Sequence, residues 1–423
     1  MQIHEVHPGE TLWLIAQRYG ITPTQIVTAN VLENPNKLVP GMTLVMPTTP
    51  GTHYVQPGEN LSDIAQRYGT TIQEIVRVNQ LQNPNMIVVG MRLNIPVHKP
   101  IIDVNAYTIN TGETGAREIQ EVGHYLTYWM PFVYSVKEDG SLTTLDDTEM
   151  LQSAAAERIV PVIAITNFSA TATGSGLAHT ILSSTELQEK LLTNILNVMK
   201  EKGYKGLNVD FENVFPADRE NYNQFLQRAV DRLHPEGYFV SSALAPKVSS
   251  EQQGLLYEAH DYEAQGKIVD FVVLMTYEWG YRFGPPQAIS PLNQIKRVLD
   301  YAITVIPRDK IFFGFQIYAR DWLIPHVQGQ EAETFSQQEA IRRAIQYGAT
   351  IQYDPIAQSP FYRYTDAQGR HHEVWFEDAR SAQAKFKMVK DYHLRGISYW
   401  VLGYPFPQNW LLLEDNFTIR KRV

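Results

Sequence analysis

Cysteine is absent from all 423 residues, which excludes disulfides, thiolate nucleophiles and cysteine-ligated zinc together. No apolar run approaches the roughly 20 residues that a membrane-spanning helix requires; Phe271 to Tyr277 is typical of the longest. Positive charge is in deficit: 36 Lys and Arg stand against 45 Asp and Glu, a formal net charge of −9. Neither nucleic acid nor a membrane surface is therefore expected as a partner. Met1-Gln2-Ile3-His4-Glu5 supplies no basic segment and no apolar one, so no secretory signal is expected. What remains is ordinary globular usage, 44% hydrophobic and 19% charged, at a length that calls for roughly two or three folding units.

Self-comparison exposes a repeat. Val6-His7-Pro8-Gly9-Glu10-Thr11-Leu12 returns 49 residues later as Val55-Gln56-Pro57-Gly58-Glu59-Asn60-Leu61, and Ile15-Ala16-Gln17-Arg18-Tyr19-Gly20 returns as Ile64-Ala65-Gln66-Arg67-Tyr68-Gly69. Asn30, Asn34-Pro35-Asn36 and Gly41-Met42 keep the same offset with Asn79, Asn83-Pro84-Asn85 and Gly90-Met91. Within one copy, Leu12, Ile15, Ala16 and Tyr19 have helical spacing behind Thr11 as N-cap, with Gly20 as the stop. Pro23 suits the first turn of a second helix. Short β-branched runs flank the pair, giving a βααβ unit over 1–48 and again over 52–97. The pattern resembles the LysM module, which implies binding to N-acetylglucosamine-containing glycans such as peptidoglycan or chitin. Through residue 97 five basic residues face six acidic ones, so hydrogen bonds to acetamido groups, not charge, must carry that recognition.

After a stiff linker at Val97-His98-Lys99-Pro100, residues 98–423 alternate β-rich runs with longer helical ones. Strands are expected over 101–105, 125–133, 159–166, 206–210, 238–244, 271–277, 311–318 and 396–401, and helices over 186–202, 219–233 and 291–306 among others. Eight strand–helix pairs describe an α/β fold, a (β/α)8 TIM barrel. The stretch from about 321 to 378 is too long for a connection and reads as a small α+β insertion walling one side of the site.

Gly206-Leu207-Asn208-Val209-Asp210-Phe211-Glu212 carries the catalytic signal. Alternation sends Leu207, Val209 and Phe211 toward the helices and Asn208, Asp210 and Glu212 toward the barrel interior. Two carboxylates and an amide in one column are costly unless used. Glu212 falls at the C-terminal end, where barrel enzymes keep their chemistry. Confined like charges push carboxyl pKa values apart and leave one protonated, as glycosidic bond cleavage requires.

These residues resemble the Asp-x-x-Asp-x-Asp-x-Glu motif of family 18 glycoside hydrolases. The resemblance implies Glu212 as proton donor, Asp210 as the carboxylate steadying the substrate acetamido group, and Tyr277 in Met275-Thr276-Tyr277 as its hydrogen-bond donor. It implies Trp400, closing the eighth strand, as the floor of the −1 sugar site. The mechanism implied is substrate-assisted retaining hydrolysis with no metal and no cofactor. Two positions depart from the family: Asn208 stands where an aspartate is usual, and Glu278 replaces aspartate after the tyrosine. Asn208, Met275 and Glu278 join Trp400 as substrate-contacting candidates. Tyr107, Gln316 and Tyr318, near strand ends, are candidates for lining the cleft, and Asn167 lies just past the third strand. The pair of LysM modules with this variant motif is similar to the spore-cortex-lytic N-acetylglucosaminidases of endospore-forming bacteria. That similarity implies a spore location, a cortex glycan as partner and a monomer. A chitinase, or a non-catalytic family 18-like binding or coat protein, stays open as an alternative. His371-His372 lack metal-ligand spacing and, like His4 and His7, read as solvated surface.

Overall fold

The computed structural model describes residues 1–49, 51–96, 99–168 and 174–422; Val97 and His98 of the expected linker lie outside them. Each repeat forms the βααβ unit. In the first, Gln2–Glu5 pairs antiparallel with Thr43–Met46 around helices Leu12–Arg18 and Pro23–Asn30. Thr11 Oγ1 accepts the Leu14 N–H at 3.3 Å, and Pro23 opens the second helix behind a Thr22–Gln25 capping box. The repeated asparagine has a structural purpose. Asn30 exchanges amide hydrogen bonds with the Val45 backbone at 2.7 and 2.9 Å, as Asn79 does with Asn94.

Two histidine readings are corrected here. His4 is buried, its ring nitrogens meeting Glu10 Oε2 at 2.8 Å and the Tyr19 hydroxyl at 3.1 Å, and His53 repeats the triad with Glu59 and Tyr68. The 49-residue offset from His4 to His53 was the overlooked signal. His7 and His371 are exposed. His372 is not free surface, because it stacks on Tyr364 and bonds Asp321 at 2.7 Å and Asp366 at 3.2 Å.

Eight parallel strands close the barrel: Ile101–Thr108, Tyr128–Pro131, Val160–Thr166, Gly206–Asp210, Phe239–Leu244, Phe271–Leu274, Ile311–Gln316 and Gly396–Trp400, the last pairing with the first. The sixth strand stops three residues before Tyr277, the end expected from sequence. Leu207, Val209 and Phe211 sit in the layer between strands and helices, as alternation requires, while Asn208 and Asp210 are buried inside. The insertion begins earlier than 321, at Tyr318: Ile317 N still donates to the Trp400 carbonyl as the last bond of the barrel ladder, and Tyr318 onward pairs in the insertion's own sheet. It is a five-stranded antiparallel sheet, with Tyr318–Ile324 second from one edge, crossed by the helix Gln337–Tyr347.

The two LysM units differ in attachment. The second has a core of its own, from Val55 to Ile95. The first shares a core with the insertion: Ile26, Val39 and Met42 pack in one cluster with Ala340, Ala344 and Ile351. The Ile351 N–H donates to Pro40 O at 2.9 Å, and Arg380 reaches Glu5 and the Gly41 carbonyl. Gly41 and Gly90 occupy equivalent positions with φ of 81° and 83°. A Cβ on Gly41 would stand 1.9 Å from the Ile351 carbonyl oxygen, whereas one on Gly90 meets nothing within 4 Å. Both alanine substitutions incur the left-handed backbone cost of about 1–2 kcal/mol, but Gly41→Ala should lose about 1–3 kcal/mol more through overpacking. Urea unfolding of the two variants checks this; equal midpoints would mean that the first module is not docked.

Candidate active site

The fourth strand delivers Asp210, and Glu212 follows just past its end. Two distant side chains lock this turn. Asn167 accepts the Glu212 N–H at 2.9 Å and donates to the Glu212 carbonyl at 2.7 Å. His260 accepts the Ala245 N–H on Nδ1 at 2.8 Å, which fixes its tautomer, and Nε2–H donates to the Phe211 carbonyl at 2.9 Å. Burial lowers the His260 pKa to about 4, so the ring stays neutral. Asn167 carried little signal in sequence and His260 none, since both act on residues 45 or more positions away.

A cavity of about 220 Å³ opens over these residues. Asp210 and Glu212 form one wall, Met275, Tyr277 and Glu278 another, and Trp400 with Phe132 the base. Trp400 meets Phe132 edge-on with ring centres 4.9 Å apart. Gly314 allows Tyr277 to sit here, because a Cβ would come within 3.0 Å of its ring and 2.2 Å of the Leu274 carbonyl. The other site candidates stand behind the wall, not in its lining. Tyr107, fully buried, donates to Asn208 Oδ1 at 3.0 Å, and Asn208 Nδ2 donates to Ser241 Oγ at 2.9 Å. Both ends of the Asn208 amide are thus engaged away from Asp210. Gln316 is buried against Glu377, with Nε2 to Oε1 at 3.2 Å, and Tyr318 donates its hydroxyl to Glu278. Strand-end position suggested exposure for these two; the insertion covers them.

Burial and the Glu212 carboxylate hold the Asp210 carboxyl well above the ordinary carboxylate range. Burial and the Glu278 charge push Glu212 up to about 7. The pair therefore holds a proton near neutrality. Asp210 Oδ1 is buried and has no hydrogen-bond partner among the described residues. Glu278 has φ of 70°, a left-handed conformation that costs about 1 kcal/mol. The insertion offsets this with a bidentate Arg320 clamp, at 2.9 and 3.0 Å, and the Tyr318 hydroxyl. Glu278→Gln should remove one cause of the raised Glu212 pKa and leave Arg320 unpaired, and both effects lower that pKa. A general acid must be protonated, so the alkaline limb of the kcat/KM profile should move to lower pH. An unmoved or higher limb would sever Glu278 from Glu212.

A closed barrel with a proton-holding carboxyl pair at the C-terminal end of its fourth strand is a glycoside hydrolase architecture. The chain belongs to glycosyl hydrolases family 18, whose model matches residues 164–404, and LysM domains are matched at residues 4–47 and 53–96. Likeness at full length is more particular. The chain is 50% identical to the cortical fragment-lytic enzyme of Bacillus subtilis (strain 168), covering 100% of both. It matches the crystal structure of the Bacillus cereus spore cortex-lytic enzyme SleL at 42% identity and a TM-score of 0.91, covering 99% of this chain and 98% of that one. The Bacillus megaterium QM B1551 SleL structure matches at 40% identity and a TM-score of 0.89, over 100% and 99%.

Proposed function

We propose that this chain is a spore-cortex peptidoglycan glycosidase that cleaves after N-acetylglucosamine by substrate-assisted retaining hydrolysis. The full-length likeness to cortex-lytic enzymes supports the substrate class. The observation that carries the mechanism is the unpartnered, buried Asp210 Oδ1 beside Glu212, in a pair that holds a proton near neutral pH. Asp210 is only two residues from Glu212, and Glu278 on the facing wall is held by Arg320 and the Tyr318 hydroxyl, so neither carboxylate is free to act as the nucleophile. The attacking group is then the acetamido oxygen of the −1 sugar. Its N–H donates to Asp210 Oδ1, which stabilises the positive charge as the oxazolinium ring closes. Tyr277 donates its hydroxyl to the acetamido oxygen and aims it at the anomeric carbon. Glu212 protonates the leaving oxygen, then takes a proton from the water that opens the ring, so configuration is retained. Trp400 presents its face to the sugar ring.

The LysM pair concentrates the enzyme on glycan through linked weak sites. A coat protein would gain nothing from the strained, clamped Glu278 or the locked turn at Glu212. Mass spectrometry of products from purified cortex fragments tests the reading: new reducing ends should be N-acetylglucosamine.

A further inference from the structure

The docked first LysM unit encloses space with the catalytic domain. A cavity of about 340 Å³ lies between its loop at Val31–Lys37, the insertion helix and Phe406–Gln408. A second, of about 670 Å³, shares Val31, Gln338, Phe406 and Pro407 with the first and runs past Glu118 to Leu402 and Tyr404. Tyr404 lies four residues beyond Trp400 and meets Tyr318 at 5.6 Å between ring centres. The two cavities form one groove from the LysM unit to Tyr404, which packs against the same apolar cluster as Trp400 of the catalytic cleft.

Each half of the groove has a buried polar atom with no partner among the described residues. Gln337 is 3% exposed, and its Oε1 accepts the Glu377 N–H at 2.8 Å, which fixes the amide and leaves Nε2–H free. Glu118 is 8% exposed; its Oε1 accepts from Asn110 Nδ2 at 2.6 Å, and Oε2 has no donor. One site offers a donor and the other an acceptor, and leaving them unmet when buried is costly. Two carboxylates at the insertion end of the groove are already paired, Glu377 with Lys385 at 2.7 Å and Asp378 with Arg380 at 2.9 Å. Val31, 53% exposed, and Pro407 supply apolar surface between amide side chains. This lining suits a neutral, extended ligand with alternating amide, hydroxyl and apolar faces.

We propose that this groove is a distal glycan site, in which Gln337 and Glu118 hold N-acetylated sugars of the same strand whose scissile bond lies at Glu212. The inference rests on the proposed glycosidase reading. It makes the first LysM unit a wall of an extended cleft as well as an anchor, and it assigns recognition to residues of the catalytic domain that sit outside the cleft. Length preference would follow from the groove: short fragments fill the cleft alone, and longer ones fill both.

The test uses the full chain and N-acetylglucosamine oligomers from trimer to octamer. For the wild type, KM should fall in steps as the chain lengthens. Gln337→Glu keeps the acceptor for Glu377 N–H and turns the free donor into an acceptor, and Glu118→Gln does the reverse with little change of shape. Each should raise KM for the longest oligomers about 2- to 12-fold, the worth of one neutral hydrogen bond, with thermal melts monitoring the fold. A wild-type KM independent of length overturns the groove. So does a wild-type length dependence kept by Glu118→Gln with its melting temperature intact. Absence of wild-type turnover on every oligomer and on cortex fragments would instead overturn the glycosidase reading itself.

Discussion

Glu212→Gln should lower kcat by roughly 10²–10⁴-fold, the range for losing a positioned general acid, with the fold intact. The amide has the size of the carboxyl, and the backbone on either side is fixed independently of the side chain. Asn167 clamps the Glu212 peptide at 2.7 and 2.9 Å, and His260 holds the Phe211 carbonyl. What disappears is the proton that Glu212 is proposed to deliver to the leaving oxygen. The buried like-charge contact with Asp210 disappears as well, so the variant should unfold at the same temperature or slightly higher. Asp210→Asn gives a distinct signature, keeping the acid but weakening the charge that steadies the cyclised intermediate. Steady-state turnover of a soluble N-acetylglucosamine oligomer is the measurement. A Glu212→Gln enzyme that keeps more than about a tenth of wild-type turnover would place the acid elsewhere.

The sequence made Asp210 and Glu212 visible because a strand has a strict period of two, and three polar residues on one face of an apolar run need a reason. The same rule misjudged the seventh strand. Ile311 to Tyr318 reads as one run whose single glycine, Gly314, lies inside the strand and does not mark the exit after Ile317, so Gln316 and Tyr318 were expected in the cleft. Gln316 is buried against Glu377, and Tyr318 leaves the barrel as the first residue of the insertion. The motif departures also needed the structure. Glu278 is longer than the usual aspartate, and its reach is set by Arg320 and Tyr318, which belong to the insertion. Local pattern could not distinguish Gly41 from Gly90, whose sequence neighbourhoods match; only the approach of Ile351, some 310 residues onward, separates them. Period and spacing report what a residue does within its own element. Contacts made across hundreds of residues leave no periodic trace.

A thiazoline mimic of the cyclised N-acetylglucosamine intermediate should bind at least about 10²-fold more tightly than the matching ground-state sugar, since it resembles the high-energy state. The expectation follows from the lack of a free carboxylate nucleophile facing Glu212, since Glu278 is clamped by Arg320. The cavity of about 220 Å³ offers Asp210 Oδ1 and Tyr277 to an acetamido group, and the carboxylate on its facing wall, Glu278, is engaged by Arg320. The −1 sugar must then carry a free 2-acetamido group. A muramic lactam has tied that nitrogen into a ring and cannot supply the attacking oxygen. N-acetylmuramic acid keeps the group but adds a bulky ether at O3, in a cavity of only about 220 Å³. N-acetylglucosamine satisfies both demands. Replacing it at −1 by glucosamine should slow cleavage by at least about 10²-fold, because orientation of an intramolecular nucleophile is lost. Inhibition constants and product masses read the two halves of this prediction separately. Fragments ending in reducing muramic acid would reject the bond assignment, and indifference to the thiazoline would reject neighbouring-group attack whatever bond is cut.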